Sequence, residues 1–240
     1  MESKKRLPEV INGDPLATLA NCDGFYESPK DDQGRYLGPL VAYAGKDEEG
    51  KNEVGGIYFN FAQGEQYPNI REYYAQLIAW KIIRMGHSPD VVIGAPMGGI
   101  MLAVDLGRLL GCRTIFAEKK ITQLADPVKG TKEQSELIIN RHVINKGDRA
   151  IVVEDVCNNF STTQKLRELI ESRGGVLAAI SCAINRSGQE KWQDVSVVAA
   201  VFSPTEQYRQ SDSEVASLVE SGQVVWEPKQ EWSRLKESTK

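Results

Sequence analysis

Two adjacent carboxylates at the end of an apolar run are the residues of this chain best placed to do chemistry. The run Ala150–Val153 leads directly into Glu154 and Asp155, and a polar, hydroxyl-rich segment, Asn158–Thr163, follows. An amphipathic stretch, Leu166–Arg173, comes next. This order predicts a buried strand, an acidic tip, a polar loop and a helix. Carboxylates accept hydrogen bonds from sugar hydroxyls, and the N–H groups that open a helix bind anions, so the pattern suits a sugar phosphate.

A glycine-rich segment, Gly94–Ile100, lies between another predicted strand and helix. Glycine there permits positive φ angles and a close approach of the backbone to a ligand. The glycine spacing differs from the dinucleotide fingerprint, and the Gly-Lys-Ser/Thr of a P-loop is absent from the segment. On its own, the segment is equally compatible with a ligand-binding loop and with an ordinary turn.

Basic residues follow two further predicted strands. Lys119 and Lys120 come at a strand end, before a long polar segment, Lys119–Ser135, which we expect to form a loop. Arg186 lies in the turn Asn185–Gly188 and could hold a carboxylate through two parallel hydrogen bonds. Each group alone is also compatible with solvated surface charge, but parallel strands bring such turns to one edge of a sheet.

Other nucleophile and metal-ligand candidates are weaker. The two histidines, His87 and His142, lack partners at the spacing of a metal site or a triad, and we interpret both as structural. The four cysteines show no CxxC spacing. Cys157 lies inside the polar loop, where we interpret it as a small filler and not a nucleophile.

The composition is that of an ordinary globular protein. Of 240 residues, 41% are hydrophobic and 26% are charged, and the net charge is −4. This charge argues against non-specific nucleic-acid binding, which needs a basic face. No apolar run approaches the roughly 18 residues of a membrane helix, and the N-terminus does not have the pattern of a signal peptide. We therefore expect a cytoplasmic protein without nucleic-acid or membrane partners.

Strand-like and helical segments alternate through the middle of the chain. The predicted elements are helix 69–85, strand 91–93, helix 99–110, strands 114–117, 137–139 and 150–153, a helix after residue 161, and strands 176–184 and 195–202. This alternation predicts an α/β fold with a doubly wound, mostly parallel sheet. We expect three parts, a small N-terminal hood with short strands (1–66), the α/β core (67–205) and a C-terminal extension (206–240).

The acidic motif also carries a family resemblance. Val152–Val156, followed by a hydroxyl-containing loop, resembles the signature of the type I phosphoribosyltransferases, which bind 5-phosphoribosyl-1-diphosphate (PRPP). Further segments, in consistent order between about residues 24 and 230, resemble the orotate phosphoribosyltransferases in particular: Tyr58–Phe61, Tyr67-Pro68, Gly94–Ile100, Phe116–Lys119, Lys146–Arg149, Asn185–Gly188 and Val225–Lys229.

The resemblance implies roles for the PRPP-binding residues. Glu154 and Asp155 would hold the ribose hydroxyls and act in catalysis. Lys119 and Lys120 would contact the diphosphate, and the catalytic lysine of the lid would be Lys120, Lys129 or Lys132. The 5-phosphate would be bound by the loop residues Asn158, Asn159, Phe160, Ser161 and Thr162.

It also implies the base, the cofactor and the assembly. Arg186 would pair with the orotate carboxylate, and Tyr58, Phe59 and Asn158 would line the base pocket. The implied reaction converts orotate and PRPP to orotidine 5′-phosphate and diphosphate with Mg²⁺, for which we predict no direct side-chain ligand, in a homodimer. Two alternatives stay open, a transferase for another base and a regulator that binds PRPP or a nucleotide without turnover.

The loop departs from the family pattern. Type I phosphoribosyltransferases usually carry Thr-Thr-Gly-x-Ser after the carboxylates, where this chain has Asn158-Asn159-Phe160-Ser161-Thr162. Asparagine tolerates left-handed backbone angles. Phe160 stands in the glycine position, and we expect its bulk to crowd the phosphate. Ser161 or Thr162 could alternatively serve only as the N-cap of the helix.

Overall fold

A computed structural model describes residues 8–11, 13–123 and 134–237. It divides into two compact units. The first combines the chain up to Tyr67 with the chain from Ser203 onward, and the second is Pro68–Phe202. Within the described ranges, every helix is too short or too polar to cross a membrane.

Strands and helices are numbered separately along the chain. The strands are β1 (Phe25–Glu27), β2 (Leu40–Lys46), β3 (Asn52–Gly55), β4 (Ile57–Phe59), β5 (Val91–Gly94), β6 (Arg113–Phe116), β7 (Glu118–Gln123), β8 (Gln134–Ile138), β9 (Arg149–Cys157), β10 (Val176–Asn185), β11 (Lys191–Trp192), β12 (Val195–Phe202) and β13 (Val224–Val225). The helices are α1 (Pro15–Asn21), α2 (Ala62–Glu65), α3 (Pro68–Arg84), α4 (Ile100–Leu110), α5 (Ser161–Ser172), α6 (Ala216–Glu220) and α7 (Trp232–Glu237).

The second unit is built on a six-stranded sheet with the order β11-β12-β10-β9-β5-β6. Neighbouring strands are parallel except β11, a short edge strand that runs antiparallel to β12. The predicted doubly wound α/β fold is confirmed. From β5 the chain passes through α4 to β6, and from β9 it passes through α5 to β10 on the other side. The winding therefore reverses between β5 and β9.

Apolar side chains explain why these elements pack. Strand β5 and the segment Ala150–Val153 of β9 are continuously apolar and buried, as strands covered on both faces must be. Helix α5 is amphipathic and buries Leu166 and Ile170 against the sheet. Helices α3 and α4 are joined by an ion pair in which Nε of Arg71 lies 2.5 Å from Oδ2 of Asp105.

The prediction of a loop from residue 119 onward was wrong at both ends of the segment. Strand β7 pairs antiparallel with β8 in a separate two-stranded ribbon, with Lys120 directly opposite Glu136. All but one of the residues of β7 are exposed, so the strand shows no apolar alternation by which it could be predicted. Lys129 and Lys132, two lid candidates, lie outside the described residues.

The first unit joins the two ends of the chain. Strands β2 and β3 form an antiparallel hairpin, and β13 adds to β2 in parallel through Val224 and Val225. A buried cluster in this unit combines Tyr26, Val41, Tyr43, Val225 and Leu235. Residues after 206 thus contribute one strand and two helices to the same unit as the N-terminal residues.

Candidate active site

The two carboxylates lie in the last part of the central strand β9. The strand continues to Cys157, so Glu154 and Asp155 are strand residues and do not follow the strand, as the sequence had suggested. Both are half-buried. As consecutive strand residues they point to opposite faces of the sheet. Oδ1 of Asp155 accepts a hydrogen bond from the backbone N–H of Val156 at 2.8 Å, which fixes its carboxylate.

The glycine-rich loop after β5 packs directly on this carboxylate. A Cβ atom at Gly98 would overlap the carboxylate of Asp155, and one at Gly99 would overlap the backbone carbonyl of Val153. That carbonyl also accepts a hydrogen bond from the N–H of Ala95 at 2.9 Å. The φ angle of Gly99 is −83°. Glycine is needed here for close approach and not for a positive φ angle.

These two loops flank the place where the winding of the sheet reverses. The loop after β5 and the end of β9 belong to adjacent strands that lead to helices in opposite directions. In open α/β sheets, ligands bind in the crevice at such a switch point, outside the carboxyl ends of the strands. The position of Glu154 and Asp155 therefore marks a ligand site on topological grounds.

The segment between β9 and α5 ends in a left-handed residue. Phe160 occupies the N-cap position with φ 57° and ψ 17°, and no side chain caps the helix there. Ser161 and Thr162 lie inside the first helical turn, so neither is the N-cap. Oδ1 of Asn159 accepts a hydrogen bond from the N–H of Ser161 at 3.2 Å. An anion at this N-terminus would meet backbone donors and the positive end of the helix dipole.

The Phe160 ring does not crowd this loop. Only 6% of the residue is exposed, and its ring stacks on Trp192 with centroids 5.7 Å apart and planes inclined by 27°. A left-handed backbone costs a residue with a Cβ roughly 1–2 kcal/mol. Burying a phenylalanine ring contributes about 1.5–3 kcal/mol, and an aromatic pair adds about 0.5–1.5 kcal/mol. Burial therefore outweighs the strain and directs the ring into the core.

Arg186 follows the neighbouring strand β10 and lies beside the end of β9. Its N–H donates to the carbonyl of Cys157 at 3.0 Å, and the residue is 6% exposed. The turn that carries it is built by buried Asn185, whose Nδ2 donates to the carbonyl of Gln189 at 2.8 Å and whose Oδ1 accepts from the hydroxyl of Ser187 at 2.7 Å. The predicted Arg186 is thus brought to the same sheet edge as the carboxylates.

Cys157 has the properties of a packing residue. A hydrogen bond with Cys182, followed by burial, raises the pKa of the Cys157 thiol well above its usual value. The nearby carboxylates Glu154 and Asp155 raise it further. Because only the thiolate is a strong nucleophile, this thiol is inert at neutral pH.

His142 packs edge-on against Phe116, with ring centroids 4.9 Å apart.

The remaining predicted residues lie in other elements. Lys119 and Lys120 are exposed on β7, and Nζ of Lys120 lies 3.2 Å from Oε1 of Glu136. Tyr58 and Phe59 belong to the first unit. Phe59 is 5% exposed and packs on the ring of Phe25 at 5.3 Å, which leaves little of its surface for a ligand. Half-buried Tyr58, whose ring lies 5.9 Å from that of Trp232, is the better placed of the two.

Comparison with known proteins places this geometry in a family. Residues 65–211 match the family model of the phosphoribosyl transferase domain. The chain belongs to this phosphoribosyltransferase family. The type I phosphoribosyltransferase resemblance is thereby confirmed, and the matched range contains the carboxylates, the loop before α5 and Arg186.

Relatives of this chain include enzymes named for orotate. Identity is 35% over 130 residues with the orotate phosphoribosyltransferase of Caldanaerobacter subterraneus subsp. tengcongensis, over 54% of this chain and 61% of that protein. It is 31% over 170 residues with the one of Caldicellulosiruptor saccharolyticus, over 70% of this chain and 77% of that protein. The chain spans 61–62% of the length of the first three of these relatives.

A solved structure extends the likeness of fold. The UMP synthase of Leishmania donovani aligns with a TM-score of 0.52 and 14% identity, over 90% of this chain and 40% of that protein. At this identity the match concerns the fold alone.

Sequence reasoning missed two features of the phosphoribosyltransferase site. The contact of Gly98 with Asp155 joins residues far apart in the chain, and the glycine-rich segment was its only signal. Trp192, which supports Phe160, comes from the edge strand β11 and had no motif around it. Its aromatic type was the one available hint, because tryptophan in a globular chain usually packs against another ring or an apolar surface.

Proposed function

We propose that this protein transfers the 5-phosphoribosyl group from PRPP to orotate, giving orotidine 5′-phosphate and diphosphate. The observation that carries the proposal is the placement of Glu154 and Asp155 at the switch point between β5 and β9, directly before the N-terminus of α5. Relatives named orotate phosphoribosyltransferase support the choice of base.

The residues of the switch point would bind the sugar phosphate. Glu154 and Asp155 accept hydrogen bonds from the two ribose hydroxyls, one carboxylate on each side of the strand. The loop from Asn158 to Phe160, with the hydroxyls of Ser161 and Thr162, binds the 5-phosphate through the first-turn N–H groups of α5. The two halves of the substrate are thereby fixed around the anomeric carbon, C1.

The reaction breaks one bond at C1 and forms another. The C1–O bond to diphosphate breaks and its electron pair leaves with the diphosphate, while a ring nitrogen of orotate gives up its proton, to the diphosphate or to water, and forms the new bond to C1. Positive charge develops on the ribose, next to Glu154 and Asp155, which stabilise it electrostatically. Lys119 and Lys120 would bind the departing diphosphate. Lys120 is proposed as a catalytic lysine, and to act it would leave its ion pair with Glu136 and bind the diphosphate.

Arg186 would select the base through its carboxylate. It follows β10 directly, its backbone is bonded to the last residue of β9, and its guanidinium provides the planar donor pair that a carboxylate accepts. Asn158 would line the same base pocket. A base without a carboxylate would lack the group that Arg186 is proposed to bind.

The side chains present suit Mg²⁺ bound mainly by substrate. Across the described ranges, no group of three or more His, Cys, Asp and Glu side chains is arranged to hold a metal. Glu154 and Asp155 supply hard carboxylate oxygens beside the diphosphate position, the donor set with which Mg²⁺ binds phosphate substrates. When bound, Mg²⁺ would neutralise charge on the diphosphate and so favour its departure.

We also propose a cytoplasmic homodimer. Met101 and Val104 are exposed at the start of α4, three residues apart and so on one side of the helix, and Met97 is exposed in the turn before it. A contiguous exposed apolar stripe is typical of a protein interface. All four cysteines are free thiols, which suits a reducing compartment. Light scattering should give twice the chain mass of 26.6 kDa; a monomer across the micromolar range would contradict the dimer.

The test is a base panel assayed with PRPP and Mg²⁺. Orotate absorbance should fall when the protein is mixed with orotate, PRPP and Mg²⁺. It should rise in the reverse reaction, which starts from orotidine 5′-phosphate and diphosphate. Turnover of adenine, guanine, hypoxanthine or uracil without turnover of orotate would show that the substrate is that base and not orotate. If calorimetry shows binding of PRPP and no base is turned over, the protein is a PRPP-binding regulator and not an enzyme.

A further inference from the structure

A pair of stacked rings joins the loop before α5 to the edge of the sheet. The rings of Phe160 and Trp192 lie 5.7 Å apart and within 27° of parallel. Phe160 has a left-handed backbone, which a residue with a Cβ keeps only where its surroundings hold it there. Since Asn159 is exposed and Ser161 already belongs to the helix, this one residue sets the direction in which the loop enters α5.

The other side of the stack is held by α5 itself. Nη1 of Arg167 donates to Oδ1 of Asp194 at 2.7 Å and to Oε1 of Gln193 at 2.9 Å. The Arg167 guanidinium also lies 6.0 Å from the centroid of the Trp192 ring. Gln193, directly after Trp192, has a left-handed φ of 54°. Phe160 precedes helix α5, and Arg167 lies on that helix. Helix α5 therefore also fixes the turn that follows Trp192, the stacking partner of Phe160.

We propose that Phe160 and Trp192 are positioning residues for the 5-phosphate loop. Glycine would let the loop adopt the same backbone angles but also many others. The buried ring removes that freedom from the core side and leaves the solvent side of the loop open, so the phosphate meets donors that are already ordered. The inference rests on the proposed function, because it takes the 5-phosphate of PRPP as the ligand of this loop.

Two substitutions separate the effect of the Phe160 ring on binding from the effect of the left-handed backbone angle. Phe160→Gly keeps the left-handed angle accessible and removes the ring. Trp192→Ala removes the stacking partner while the loop sequence stays unchanged. Calorimetry with ribose 5-phosphate should show Kd raised by about tenfold in both variants, since each loses preorganisation of the loop. Diphosphate, which lacks the 5-phosphate, should bind as it does to the wild type.

Conservative and matched controls separate positioning from general destabilisation. Trp192→Phe keeps a ring on Phe160 and should restore the wild-type Kd for ribose 5-phosphate. Leu166→Ala removes a fully buried side chain of α5 from the same core cluster, without touching the loop. It should lower Tm at least as much as Phe160→Gly and leave the Kd for ribose 5-phosphate unchanged. In turnover, the ring variants should raise KM for PRPP with kcat within about threefold.

The outcomes distinguish the inference from the function on which it rests. If the wild type binds ribose 5-phosphate and the variants Phe160→Gly and Trp192→Ala bind it with the same Kd, the positioning role is overturned and the proposed transferase stays intact. An equal loss of affinity in Leu166→Ala would also overturn it, because stability alone would then explain the effect. A wild type that binds neither PRPP nor ribose 5-phosphate would overturn both. If Phe160→Gly does not fold, the comparison of Trp192→Ala with Trp192→Phe decides.

Discussion

Gly98 packs its backbone against the carboxylate of Asp155, so closely that no other residue fits at position 98 without moving that carboxylate. The contact joins the loop after β5 to the end of β9 across the point where the winding of the sheet reverses. It makes the two halves of the proposed site depend on each other.

Gly98→Ala should impair PRPP turnover more than its small size suggests. The added methyl group displaces Asp155 from the ribose hydroxyls, and we expect kcat/KM for PRPP to fall by about 10²-fold, with about 1–3 kcal/mol lost from the free energy of unfolding. Gly111→Ala is the matched control. Its φ of 66° makes alanine unfavourable there, but it lies at the far end of α4 in open space, so stability should fall while kcat/KM stays unchanged.

Asp155→Asn and Glu154→Gln should each lower turnover by roughly 10²-fold while Tm changes by little. Both replacements keep the shape of the side chain and remove the negative charge that stabilises the developing ribose cation. Steady-state kinetics with PRPP and orotate measures the loss. Glu168→Gln, an exposed change on α5, serves as the control and should keep full turnover. Turnover within threefold of the wild type in Asp155→Asn would exclude its proposed role.

Asn159→Asp should separate stability from ligand binding. A carboxylate at this position accepts more strongly from the N–H of Ser161 and interacts favourably with the helix dipole, which adds about 0.3–1 kcal/mol to the free energy of unfolding. The same charge repels a phosphate, so the Kd for PRPP should rise by about tenfold or more. Gln33→Glu adds one negative charge in an exposed turn of the first unit and should change neither quantity. Unchanged PRPP binding in Asn159→Asp would place the 5-phosphate away from this loop.

The ion pair of Asp90 with Arg149 predicts a pH dependence of stability. Hydrogen bonds from the Arg149 side chain and backbone lower the pKa of Asp90 to about 2. Its folded pKa lies below the unfolded value of about 3.9, so the stabilisation is fully present above pH 4 and is lost as the pH falls toward 2. Urea unfolding of wild type and Asp90→Asn should show a difference that is constant from pH 5 to 8 and shrinks below pH 4. A difference independent of pH down to 2.5 would contradict the assignment.

The sequence predicted those parts of the site that depend on local pattern. Strand β12 was placed at its observed bounds, and α5, predicted to begin after residue 161, was placed within one residue of its observed start, because continuous apolar runs and apolar periodicity determine such elements. Strand β7 was missed, since it is exposed along almost all its length and exists through pairing with β8. The direction of the Phe160 ring could not be predicted either, because it depends on one backbone angle and on Trp192, which lies on another strand.

Strand β13 has a consequence for how the chain folds. It pairs Val224 and Val225 with Leu40 and Val41, so the first unit closes only when the last part of the chain has been made. The second unit, by contrast, is one uninterrupted segment. During synthesis the sheet that carries the carboxylates can form first, while β2 keeps an unpaired edge until β13 has been made. This late, non-local closure is the step at which we expect folding to be slowest and the nascent chain most prone to aggregate.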